Sequence, residues 1–104
     1  RKAKMATYTG SAETASASRY LQQLCKHWSH KFAVEFDPLH GRIEFDPETV
    51  CELDAGPDRL SVRLDAVDPE RGERMKPVIA DHLKRFAFRE DFVLAWDVAV
   101  PSGD

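Results

Sequence analysis

His27 and His30 stand three residues apart in a segment of helical periodicity. Their imidazoles project about 60° apart, near enough to share a metal ion. A catalytic zinc or iron site wants at least three protein donors, and His40, in a turn farther along the chain, is the loop residue available as a third. On that reading the chain is a small metal-dependent enzyme holding iron or zinc through His27 and His30. The same two histidines also read as the solvated end of a helix, whose C-terminus favours positive charge. Tyr20 lies seven residues before His27 on one flank of that helix, with Lys31 beyond. Arg85 and Arg89, from the end of a second helix, would complete a polar rim suited to a small anionic ligand held by guanidinium forks and a phenol hydroxyl. The rim forms only if the two flanks face each other. Otherwise these side chains are a charged, hydrated surface.

Other residue types point away from covalent chemistry. Ser29 sits between the two histidines, but adjacent helical side chains diverge by about 100° and make no nucleophile–base pair. Cys25 falls on the apolar stripe, where burial raises a thiol's pKa. Six acids and no bases occupy Glu44 to Asp58, at a spacing that fits no calcium loop and equally suits a charged strand edge. His82 lies at the margin of an apolar stripe and reads as a hydrogen-bonded core histidine. Trp28 and Trp96 read as core or subunit-contact residues rather than stacking platforms. Phosphate-binding loops, dinucleotide fingerprints, nucleophile elbows and paired-cysteine zinc motifs do not occur in the sequence, and no cofactor is implied. The reading leans away from an enzyme.

The elements that must position these side chains follow from periodicity. Met5 to Gly10 reads as a strand leaving through Gly10-Ser11. From Ser16 to Phe32, Ala17, Leu21, Leu24, Cys25, Trp28 and Phe32 share an arc of about 100°, which defines an amphipathic helix capped by Ser16 or Ser18. Four short alternating strands follow, carrying Val34 and Phe36, Ile43 and Phe45, Cys51 and Leu53, then Leu60, Val62 and Leu64, with turns at 37–41, 46–47 and 55–58. A second helix places Met75, Ile79, His82, Leu83 and Phe86 on one stripe. Pro77 resists a helix interior, so this helix is expected to start near Arg74, with Pro69 to Gly72 as a separate turn. Phe92, Leu94, Trp96, Val98 and Val100 alternate as a closing strand. The expectation is an α+β two-layer sandwich, a mainly antiparallel sheet with two helices on one face, in the order β-α-β-β-β-β-α-β.

The 104 residues fit a single domain, 1–104, with residues 1–4 read as a disordered N-terminal extension ahead of Met5. Fifteen basic against eighteen acidic side chains, a formal charge of −3, argue against electrostatic binding to nucleic acid or anionic lipid. No apolar run reaches the roughly 18 residues of a membrane span, and none follows the basic start as a secretory signal would require. Two cysteines, Cys25 and Cys51, read as buried free thiols of a reducing cytoplasm.

Three stretches carry a resemblance: Ser18-Arg19-Tyr20-Leu21-Gln22-Gln23-Leu24-Cys25-Lys26-His27-Trp28-Ser29-His30-Lys31-Phe32, Gly41-Arg42-Ile43, and His82-Leu83-Lys84-Arg85-Phe86-Ala87-Phe88-Arg89-Glu90. From about Thr7 to Trp96 the chain resembles the small bacterial family known as domain of unknown function 2218. The resemblance implies no established activity. Some relatives are associated with siderophore-interacting flavin reductases of iron uptake, and this implies a link to iron or siderophore handling, with an iron-uptake protein as partner. The leading expectation is a cytoplasmic, non-catalytic binding or accessory module for a small anionic ligand at Tyr20, His27, Arg85 and Arg89. The alternatives are the metal-dependent enzyme above and a purely structural homodimer meeting through a sheet edge or Trp96.

Overall fold

The computed structural model describes residues 5–97 with 100 and 101; the expected extension at 1–4 and the strand residue Val98 lie outside them. The elements are β1 (Ala6–Glu13), α1 (Ala17–Trp28), β2 (Ala33–Phe36), β3 (His40–Asp46), β4 (Thr49–Ala55), β5 (Arg59–Ala66), α2 (Pro69–Phe86), β6 (Ala95–Trp96) and β7 (Val100–Pro101). All strand pairs are antiparallel, in the order β2-β3-β4-β5-β1-β6, with β7 paired to the start of β1. This is the α+β architecture expected from the pattern, with two helices against one face of the sheet.

Strand alternation supplies that face. Ile43, Cys51, Leu64 and Tyr8 are register partners in turn across β3, β4, β5 and β1, and all four are buried. A buried side chain of this size contributes about 1.5–3 kcal/mol relative to exposure. The alternate row, Arg42, Glu52, Arg63 and Thr9, points to water and pairs opposite charges across strands, with Arg42 Nε 3.9 Å from Glu52. The acids of 44–58 are thus largely matched: Glu44 and Glu52 by Arg42, Asp54 by His40, Asp46 by Arg71.

The covering helices are held closely. Helix α1 buries Ala17, Tyr20, Leu21, Leu24, Cys25 and Trp28. It crosses β3 at Gly41, where a Cβ would stand 2.7 Å from Cys25 Sγ. Only glycine permits that approach.

Several boundaries differ from expectation. Strand β1 continues three residues past Gly10, because β5 offers partners as far as Arg59 opposite Glu13. Helix α1 stops at Trp28, and no side chain caps its start. A turn then swings Phe32 onto Phe45, with ring centres 5.0 Å apart, a contact a straight continuation would miss. Helix α2 is continuous from Pro69, not begun at Arg74. Asp68 accepts from the Glu70 N–H, and Pro69 takes the first helical position, where its missing N–H costs nothing. Pro77 lies inside the helix on its exposed side, as does Glu73, whose carbonyl loses its N–H partner where water can replace it. The expected long final strand is reduced to β6 and β7. Its first residue, Phe92, packs into the core edge-on against Tyr20, at 5.8 Å.

Candidate functional site

Helices α1 and α2 meet along a seam, and the candidate residues distribute along it. At one end a cavity of about 280 Å³ is lined by Arg19, Tyr20 and Gln23 of α1, Phe86 of α2, and Phe88 and Arg89 just beyond. The sequence placed Arg19 and Gln23 on the hydrated side of α1. Their spacing of four, beside Tyr20, was the available signal that they share one flank. Arg19 and Arg89 enter no ion pair among the described residues. The Arg89 guanidinium carbon lies 5.3 Å from the Phe88 ring centre, and Phe88 is 73% exposed.

Charge distinguishes this cavity, not size. Among the described residues, four further cavities of about 260–310 Å³ are each lined by at least one carboxylate: Asp46, Glu48 and Asp68 in one, Asp54 and Asp97 in another, Asp81 in a third, Glu35 and Asp37 in the fourth. The α1–α2 cavity has two guanidinium groups and no acid in its lining. On a chain of formal charge −3 this is a local inversion of sign.

Tyr20 is present but not free. The residue is buried, and its hydroxyl donates a short hydrogen bond to Glu90 Oε2, which also accepts from Thr14 Oγ1 at 3.0 Å. That carboxylate, with burial, holds the Tyr20 phenol above its ordinary pKa. Tyr20 therefore contributes its ring to the cavity and uses its hydroxyl to hold Glu90, which is not among the lining residues. Arg85 lies apart, lining a different cavity with Asp81 and Lys84.

His27 belongs to the other end of the seam. Its ring centre lies 5.4 Å from that of His82 and 6.0 Å from that of Phe86, so Phe86 joins the histidine end to the cavity. His82 is half-buried rather than a core residue, 4.8 Å from the Trp28 ring, and its Nδ1 lies 2.7 Å from the Val78 carbonyl oxygen. His30 is exposed, with no hydrogen bond or ring contact among the described residues. His40 is on β3, engaged by Asp54 at 2.8 Å. No group of three or more His, Cys, Asp or Glu is placed to hold a metal among the described residues.

Both thiols are sequestered. Cys25 and Cys51 are free and buried, and burial pushes the Cys25 thiol up to about 11 and raises that of Cys51 as well. Trp96 is half-buried, with Lys76 Nζ 5.6 Å from its ring centre. No helix among the described residues is long and apolar enough to cross a membrane.

Comparison with known proteins agrees with the fold. The chain is similar to PA4090 from Pseudomonas aeruginosa, whose structure was determined by NMR. The two share 42% identity, with 88% of this chain and 95% of that one covered, at a TM-score of 0.75. No curated protein matches the chain. The sequence profile of one bacterial family covers residues 9–97, which include both helices whole and most of the sheet. The chain therefore belongs to the family described as uncharacterized protein conserved in bacteria (DUF2218).

Proposed function

We propose that this domain is a non-catalytic binding module for a small organic anion carrying an aromatic ring, held at the α1–α2 seam. The observation that carries the reading is the joint presence of Arg19 and Arg89, without a competing acid, in one cavity walled by Phe86 and Phe88. Guanidinium forks bind carboxylates in a planar, two-point geometry, and aromatic faces hold a flat ring by offset or edge contact. Gln23 adds an amide that both donates and accepts. About 280 Å³, at the small end of ligand pockets, admits one ring with its substituents. Aryl carboxylates and catecholates, the iron-chelating units of aromatic siderophores, satisfy this chemistry, and the link of some relatives to siderophore-interacting proteins that the resemblance implies favours the same class.

Titration calorimetry of the full chain with 2,3-dihydroxybenzoate, benzoate, cyclohexanecarboxylate and inorganic phosphate tests it. The expected result is one site per chain, the aromatic anions ahead of cyclohexanecarboxylate and phosphate, and at least tenfold weaker binding in Arg89→Ala. Absence of binding by every anion, or binding unaffected by both Arg19→Ala and Arg89→Ala, would overturn it.

A further inference from the structure

We infer that His27 and His82 form a two-histidine clamp for a borderline divalent transition ion, Cu²⁺ before Ni²⁺ and Zn²⁺, bridging α1 and α2. Two imidazoles bound to one ion at about 2.0–2.1 Å place their ring centres about 4.5 Å apart at a tetragonal centre and about 5 Å apart at a tetrahedral one, so a small side-chain rotation closes the pair on either. The His27 and His82 centres are 5.4 Å apart, with the rings inclined at 48°. The second, independent feature is the proton on His82. A carbonyl oxygen only accepts, so the 2.7 Å contact to Val78 makes Nδ1 the donor and leaves the Nε2 lone pair available. Backbone-anchored Nδ1–H with Nε2 toward the ion is the arrangement that protein metal ligands adopt. His27 has no hydrogen bond among the described residues and is exposed, so an ion reaches it from solvent. Its place in the last turn of α1 adds the negative end of the helix dipole. Two imidazoles with water completing the shell suit borderline ions and not Ca²⁺ or Mg²⁺, which want oxygen donors. The pair differs from the His27–His30 site read from the sequence, because it lies across two helices and ties them together.

Calorimetry and thermal unfolding of the tag-free full chain with Cu²⁺ and Ni²⁺ test the clamp. One ion per chain is expected, with an unfolding midpoint raised by about 5 °C at saturation. His27→Gln and His82→Gln should each weaken binding at least tenfold, and His30→Gln and His40→Gln should change it less than twofold. Binding unaffected by His82→Gln, or lost with His30→Gln, would overturn the inference. If His82→Gln fails to fold, imidazole resonances of the wild-type chain decide. Saturable shifts of the imidazole nitrogens of both His27 and His82 with diamagnetic Zn²⁺ support the clamp, and a shift of the His27 nitrogens alone refutes it.

Discussion

The Tyr8 ring occupies the space that a side chain on Gly72 would need. A Cβ built on Gly72 would stand 3.0 Å from Tyr8 Cζ and 3.1 Å from its hydroxyl oxygen, which donates to the Pro69 carbonyl at 2.9 Å. Through this contact β1 fixes the first turn of α2, and with it the direction in which α2 carries His82, Phe86 and the arginine beyond it toward α1.

Gly72→Ala should therefore be destabilising, against ordinary helix propensity. In an unobstructed helix the change gains about 1 kcal/mol. Here overpacking against a buried ring costs about 1–3 kcal/mol and outweighs it. Urea unfolding should show a lower midpoint for Gly72→Ala, whereas a higher midpoint would mean that Tyr8 gives way freely.

Tyr20→Phe keeps the ring in the core and removes the donor to Glu90. Hydrogen bonds to charged groups contribute about 1.5–3 kcal/mol, and exposed Glu90 can recover part of that from water. A loss of about 1 kcal/mol is expected, with faster amide exchange over residues 87–92, where Phe92 is otherwise held against Tyr20. Unchanged exchange in that segment would show that Phe92 packing alone secures it.

His40 should titrate above the ordinary 6.5, chiefly through its hydrogen bond to Asp54. A histidine whose folded pKa is raised contributes its full stabilisation below the unfolded value of 6.5 and loses it as pH rises through the folded value. The side chains are 45% and 68% exposed, so the contribution stays below about 1 kcal/mol. Stability of the wild type relative to His40→Gln should thus fall from pH 6 to pH 8, and a difference that grows over that interval would contradict the pairing.

Both thiols should resist modification in the folded chain. Burial keeps Cys25 protonated at neutral pH, and Cys51, on β4, is fully buried between the sheet and the helices. An aromatic disulfide reagent should react with neither before unfolding and with both in denaturant; rapid reaction of the native protein would show that α1 lifts from β3.

The helices and the four-strand meander were readable because burial here is one-sided: Leu21, Leu24, Ile79 and Leu83 repeat at helical spacing, and Leu60, Val62 and Leu64 alternate. Pro77 misled because a proline rule describes a buried, fully bonded interior, and this one faces solvent. The final strand misled because Phe92 obeys strand alternation while serving a different contact, the edge of Tyr20. At the site, the sequence brought Tyr20 and Arg89 forward for a shared rim, and both line one cavity. Arg85 was grouped with them by proximity to Arg89, but it sits in the last turn of α2, before the chain leaves the helix, and lines another cavity. Arg19 and His82 needed the crossing of α1 over α2, a three-dimensional relationship that no single-element periodicity contains.

The central claim is that Arg19 and Arg89 act together as an anion-binding pair. Heteronuclear NMR titration of the full chain with 2,3-dihydroxybenzoate reads it most directly. The account predicts saturable shifts concentrated at Arg19, Gln23, Phe88 and Arg89, abolished by Arg19→Ala and Arg89→Ala alike. Shifts scattered over the charged sheet face, or a response at the seam that survives both substitutions, would contradict it.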